Sequence, residues 1–161
     1  MKRTTMAGSL YRMIYCSHNV IAKTVPGASE PGGMEREIRA IVAIAVQRNT
    51  ADSVTGALLF TASGFAQVLE GPRDVVERTF ERISLDPRHS DVAALGFTPT
   101  DRRRFPDWPM GFCNRTSLEE VDPLANLLGD TSFAGPRITT GGDILRLLES
   151  VVQRQGDWIR A

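Results

Sequence analysis

The chain has 161 residues, a length that suits one domain with a sizeable core and is short for two. It carries 42% apolar and 24% charged residues, the composition of a globular protein, and its 19 Lys+Arg balance 19 Asp+Glu. Zero net charge offers no global field for nucleic acid or an anionic membrane. The opening MKRTTMAGS is basic but has no apolar run behind it, so no signal peptide is expected. No apolar stretch approaches the roughly 20 residues of a membrane helix. The expected location is the cytoplasm, with neither membrane nor nucleic acid as partner.

Residues 9–16, SLYRMIYC, alternate and predict a first strand. Leu10, Arg12, Ile14 and Cys16 face one way, and Tyr11, Met13 and Tyr15 the other. Residues 17–33 contain VPGASEPGG and read as a loop. From Met34, helical spacing of Ile38, Ile41, Val42 and Ala45 predicts a helix ending near QRNT, with Asn49 as its C-terminal cap. Residues 54–60, VTGALLF, form an apolar strand, TASG a turn, and residues 65–70 the second arm of a hairpin. Pro72 falls where the first turn of a helix accepts proline, and Val75, Val76, Thr79, Phe80 and Ile83 line one side of that helix. Pro87 breaks it. Residues 91–98 predict a fourth strand, and residues 107–113 a fifth with Trp108, Met110 and Phe112 on one face. The order β-α-β-β-α-β-β is that of an α+β, ferredoxin-like sheet with two helices on one face.

Residues 114–161 differ in character. A short helix is expected within 117–128 and a loop over 129–143. Ile144, Leu145, Leu147, Leu148, Val151 and Val152 then give a last helix with an apolar face too wide for solvent. It caps the free face of the sheet or joins a partner. The expected organisation is a domain over 9–113 and a helical extension over 114–161.

The two cysteines, Cys16 and Cys113, sit in apolar, strand-like surroundings and form no CxxC, so buried reduced thiols are expected. His18 and His89 have no companions at metal-ligand spacing. The most informative residue is Gln67, which shares a strand face with Phe65 and Leu69. A buried amide needs polar partners for its oxygen and both hydrogens. Tyr15 lies on a strand that this topology can pair with the strand of Gln67. Tyr15, Asn49 and Gln67 form no nucleophile–base set, and none has an ordinary pKa suited to general-base work at neutral pH. They suit a planar heterocycle with alternating donors and acceptors.

LYRMIYCS, QRNTADSVTGALLF, GFAQVLEGPRDVVERTFERISLDPRHSDV and RRRFPDWPMGF together resemble the BLUF domains, flavin-binding blue-light sensors, over residues 9 to 113 in order. The resemblance implies FAD as the cofactor, with FMN possible. It implies that Tyr15 gives an electron and proton to the excited flavin, and that Gln67 lies between that phenol and the flavin N5/O4 edge. Asn49 would bond the ring's carbonyl and nitrogen side. Ile41 and Ile83 would sandwich the ring. Arg82 and Asp86 would lie near the ribityl and phosphate end, with His89 close by. Trp108 and Met110 would be the switching positions on the last strand. A short member of this kind signals to a separate output protein, self-associates and is not an enzyme.

Arg48 stands where the family often has Asn or His, and the 17–33 loop looks long. Three rival readings remain. A flavin redox enzyme would need a substrate site, and no GxGxxG is present. A non-flavin ferredoxin-like adaptor would make the polar trio mere core and cap. Nucleic-acid binding through Arg102, Arg103 and Arg104 lacks aromatic interleaving. Those arginines fit a solvated edge or the flavin phosphate side better.

Overall fold

The computed structural model describes residues 9–115, Leu124 and 140–154. In chain order the elements are β1 (Leu10–Asn19), α1 (Ile21–Thr24), α2 (Gly33–Asp52), β2 (Thr55–Thr61) and β3 (Gly64–Pro72). They continue with α3 (Arg73–Ser84), β4 (His89–Thr100), β5 (Gly111–Arg115) and α4 (Gly141–Arg154). The strands make one five-stranded sheet in the order β4-β1-β3-β2-β5. The β1/β3, β1/β4 and β2/β3 pairs are antiparallel, and β5 runs parallel to β2 at the edge. This is the expected α+β, ferredoxin-like arrangement with a fifth strand added.

Alternation along the strands sorts the core into two layers. Met13, Leu58, Phe60, Phe65, Leu69, Met110 and Phe112 pack with Ile38 and Val42 of α2 and Val76 of α3. On the other face, Ile14, Cys16, Leu59, Ala66, Val68 and Phe105 pack with Ile144 and Leu148 of α4. The wide apolar stripe of the last helix therefore covers the second face of the sheet. Cys16 and Cys113 are both buried and unbridged on this side, and burial pushes the Cys16 thiol up.

Several boundaries differ from those expected. β1 runs to Asn19 because His18 still pairs with both Gly64 and Ser90, and the supposed loop then holds the short α1. The α2 helix continues past Asn49, since Thr50, Ala51 and Asp52 contain no breaker. Ser53 takes the left-handed conformation at φ 58, and its N–H caps the Asn49 carbonyl. Pro72 ends β3 and is the residue before the helix, at φ −57 and ψ 142. The hairpin joining β2 to β3 is fixed where Thr61 Oγ1 accepts from the Gly64 N–H at 3.1 Å. The fifth strand begins only at Gly111, so Trp108 and Met110 precede it. Pro109 between them has no N–H for a ladder. The two side chains part company: Trp108 packs with the α4-side core and Met110 is buried in the α2/α3-side core. The expected helix within 117–128 and most of the 129–143 loop lie outside the described residues.

Gly56 makes this edge possible. A Cβ there would lie 1.9 Å from the Val68 carbonyl oxygen of β3. Its N–H donates to the Trp108 carbonyl at 3.0 Å, which ties the segment before β5 to β2.

A buried carboxylate holds the preceding loop. Glu70 is fully buried on the α4 side of β3 and accepts from Arg12 Nε at 2.9 Å. It also accepts from the backbone N–H of Arg104 at 2.8 Å and of Phe105 at 2.9 Å. Arg103 donates to Ser53 O, Thr55 Oγ1 and Glu70 O, and Arg104 reaches Glu149 of α4 at 3.1 Å. The side chains of Arg103 and Arg104 are thus internal ties. None of Arg102, Arg103 and Arg104 reaches the cavity between α2 and α3.

Candidate functional site

That cavity opens between α2 and α3 on the sheet. Its walls are apolar: Ile41, Ile44 and Ala45 from α2, Ile83 from α3, and Leu58 and Phe65 from the strands. Three polar side chains converge at its base, Tyr15, Asn49 and Gln67, all buried. The sheet places the first of these beside the last. Tyr15 and Gln67 are direct partners in the β1/β3 register, so both point to the same face.

The Tyr15 hydroxyl donates to Gln67 Oε1. Burial, and secondarily the Asp86 charge, push the Tyr15 phenol well above its ordinary range, so it stays protonated and acts as donor at neutral pH. The Gln67 Nε2 donates to Met110 Sδ at 3.3 Å, a weak acceptor. Its second N–H has no acceptor among the described residues. Asn49 Nδ2 donates to the Pro109 carbonyl at 2.9 Å, while Asn49 Oδ1 accepts nothing from the described residues. The base of the cavity therefore presents one free amide donor and one free amide acceptor between apolar walls.

The α3 end is organised by a second set. His89 packs edge-on to Tyr15 and Phe65, with ring centroids 6.3 and 5.9 Å away. Its Nε2 faces the Ile83 carbonyl at 2.6 Å, so that nitrogen carries the proton, and Nδ1 meets Ser17 Oγ at 2.8 Å. Asp86 takes Arg88 at Nε and Nη2, and Arg88 Nη1 reaches Glu37 of α2 at 2.8 Å. Burial alone would raise the Asp86 carboxyl, but these bonds outweigh it and hold it below its ordinary value. Arg88 thereby joins α2 to the start of β4.

Every cofactor-binding residue expected from sequence lines this one cavity: Tyr15, Ile41, Asn49, Gln67, Arg82, Ile83, Asp86 and His89. Met110 touches the site through Gln67, and Pro109, next to Trp108 in the chain, touches it through Asn49. Sequence reasoning missed Arg88, Glu37 and Glu70. Arg88 stands in the quoted DPRH block, but its pairing with Glu37 joins the turn before β4 to α2, far apart in sequence, and carries no local signal.

The arrangement fits a flavin. A flavin's pyrimidine edge carries an N–H donor flanked by carbonyl acceptors, the complement of the Asn49 oxygen and the Gln67 amide hydrogen. Aliphatic walls suit the two faces of its ring.

The comparisons with known proteins agree. A family model described as sensors of blue-light using FAD matches residues 10–111. The photoactivated adenylate cyclase subunit beta of Euglena gracilis is 37% identical over 93 residues, covering 57% of this chain and 11% of that protein. The blue light- and temperature-regulated antirepressor BluF of Escherichia coli (strain K12) is 41% identical over 70 residues, covering 44% of this chain and 17% of that one. The chain thus spans between about a tenth and a sixth of the length of these curated relatives. Among solved structures, the dark state of BlrB, a BLUF protein, superposes with a TM-score of 0.68 at 28% identity, covering 92% of this chain and 98% of that one. Klebsiella pneumoniae BlrP1, solved with FMN and cyclic diGMP, matches with a TM-score of 0.56 at 29% identity, covering 90% of this chain and 35% of that one. With its family match spanning strands β1 to β4 and the cavity upon them, the chain belongs to the BLUF family of blue-light sensors.

Proposed function

We propose that this chain is a flavin-binding blue-light photoreceptor whose switch is the Gln67 amide and which signals to a separate protein. The observation that carries the reading is the asymmetric holding of that amide. Its oxygen is held by a phenol donor, its nitrogen only by a thioether. Rotation or tautomerism at Gln67 therefore gives up one strong bond and one weak one, and the Tyr15 oxygen can accept from the turned amide.

A flavin bound there supplies an excited state that takes up an electron under blue light. Tyr15 is the donor within reach, and its proton leaves along the bond to Gln67 Oε1. When the electron and the proton both return to Tyr15, the amide would be left in its second arrangement, with an altered hydrogen bond to the ring. Asn49 and Gln67 orient the ring, and Ile41 and Ile83 hold its faces. FAD is the family's flavin, and the FMN of the Klebsiella neighbour makes FMN the second candidate.

The readout runs from Gln67 to Met110 and along Pro109 to Trp108, which lies against the α4-side core. Residues 9–113 are the sensor and 114–161 the extension that presents its state to a partner or a second copy. No helix of the described residues is long and apolar enough to cross a membrane.

The test is a visible spectrum of dark-purified protein before and after blue light. A yellow protein whose bands shift red and relax in the dark supports the reading, and the Gln67→Leu variant should keep flavin but lose the shift. A normal shift in that variant rules out the amide switch. A colourless protein that cannot be loaded with flavin supports the adaptor alternative.

A further inference from the structure

The family resemblance places His89 among the cofactor-binding residues, and it lines the cavity. Both of its ring nitrogens are nevertheless engaged by the protein itself. Nε2 directs its proton at the Ile83 carbonyl at 2.6 Å, so Nδ1 is the acceptor and takes the Ser17 hydroxyl at 2.8 Å. Ser17 is fully buried and lies two residues beyond Tyr15, on the same face of β1. The imidazole stands edge-on to the rings of Tyr15 and Phe65, at interplanar angles of 74° and 89°. One side chain thus joins β1, β3 and the end of α3, between the phenol at the base of the cavity and one of its apolar walls.

A slip in the sheet brings the imidazole there. Cys16 pairs with Ala93 and His18 with Ser90, so two steps along β1 match three along β4. Asp91, within the longer span, takes the left-handed conformation at φ 53. Past this bulge His89 is the partner of Asn19 and shares the face of Tyr15 and Ser17. In an unbroken ladder Ser90 would stand opposite Asn19, and His89 would turn to the α4 side. The strained backbone at Asp91 is therefore what aims the imidazole at the cavity.

From this geometry we propose that His89 is a positioning residue, which fixes Tyr15 and Ile83 relative to each other and does not itself bond the flavin. The inference rests on the flavin reading and assigns a part in it. It also makes the phenol sensitive to acid. A proton added at Nδ1 turns that acceptor into a second donor, so the Ser17 bond must reverse. It sets a positive charge against the edge of Tyr15, from which an electron is then harder to remove. The other titratable and charged groups around the imidazole are Arg82 of α3 and, from the turn before β4, Asp86 and Arg88, while β3 offers only Phe65. Burial would raise the Asp86 carboxyl, but its Arg88 bonds hold it below its ordinary value. Asp86 thus stays ionised across the range in which imidazoles charge, about pH 5 to 8.

Two measurements test this on the full chain. Nitrogen NMR of histidine-labelled protein at about pH 8 reports the tautomer, and His89→Gln identifies which of the two histidines gives each signal. The Nε2–H tautomer is expected at His89, and an Nδ1–H tautomer overturns the proposal. Flavin-loaded protein is then given limiting blue light at steps from about pH 8 to about pH 5, and the amplitude of the red-shifted form is recorded. It should fall about twofold or more over that range. His89→Gln keeps an amide donor for the Ile83 carbonyl and cannot charge. It should bind flavin within about tenfold of the unaltered protein and give an amplitude independent of pH. A flat amplitude in the unaltered protein, or the same fall in His89→Gln, overturns the positioning role and leaves the flavin reading standing. A larger loss of flavin affinity in His89→Gln makes His89 a ligand and also overturns it. Unaltered protein that takes up no flavin overturns the flavin reading and this role with it. The tautomer and pH profile of the unaltered protein keep the test independent of how the variant folds.

Discussion

Tyr15 and Gln67 are joined twice, once as register partners across β1 and β3 and again through the Tyr15 hydroxyl on Gln67 Oε1. The backbone ladder fixes the separation of the two side chains, so the phenol–amide contact does not depend on loop conformation. Tyr15→Phe removes the hydroxyl while keeping the ring that packs on Phe80 and His89. We expect this variant to bind flavin and to show no reversible red shift under blue light. A light-minus-dark difference spectrum with the shift intact would remove Tyr15 from the switch.

The same phenol makes a pH signature. Its pKa is raised in the folded protein by burial, then by Asp86. Its contribution to stability is complete below the unfolded value of about 10 and is lost as pH rises toward the folded value. Urea unfolding at stepwise higher pH should show stability falling by up to about 1.4 kcal/mol per pH unit above pH 10. Tyr15→Phe should flatten that slope. An unchanged slope would mean the phenol ionises as readily folded as unfolded.

Glu70 gives a prediction of stability. Its carboxylate is fully buried, its partner Arg12 is 12% exposed, and two backbone N–H groups also depend on it. Glu70→Leu leaves the Arg12 charge without its counter-ion, with the Arg102 carbonyl at 3.3 Å still accepting from it, leaves both N–H groups without an acceptor, and should cost about 3–5 kcal/mol. Adding Arg12→Met should recover part of that loss, because the orphaned charge goes with it. Chemical denaturation of both single variants and the double one checks this. A double variant as unstable as the sum of the singles would show that the ion pair carries no coupling.

How much was legible in the sequence depended on how local the signal was. The period of two put Tyr15 and Gln67 on one face, and the β-α-β-β order let their strands pair. The helical spacing put Ile41 and Ile83 on the apolar faces of their helices, and only the family resemblance implied that the two face a common cavity. Asn49 is not the cap that its position suggested: the helix runs through it, so its side chain points at Pro109 and not at its own helix end. Trp108 and Met110 were assigned to one strand face, and Pro109 breaks the alternation that assumption needs. The Glu70 tie to Arg12, Arg104 and Phe105 was invisible because it joins a strand to a distant loop through backbone N–H groups, which leave no residue pattern. Arg103 read as part of a basic cluster for the same reason, since two of its three acceptors are backbone carbonyl groups.

The closest approach in the sheet yields a last prediction. Gly56 lies where an added Cβ would meet the Val68 carbonyl oxygen at 1.9 Å, and backbone on both strands must move to admit it. Its N–H also carries the Trp108 carbonyl, so a displaced β2 would pull at the segment that ends at Met110 beside Gln67. Gly56→Ala should lose about 1–3 kcal/mol or more. In a loaded protein it should also alter the rate at which the red-shifted form relaxes. Gly96 in β4 is the control, because a Cβ there meets nothing within 4 Å. Gly96→Ala should stay within about 0.5 kcal/mol of the parent and relax at the parent rate. Thermal denaturation and dark-recovery kinetics of the two variants separate the cases. A Gly56→Ala protein as stable as Gly96→Ala would show that the β2–β3 pair yields at this point, and that Gly56 does not hold the segment in place.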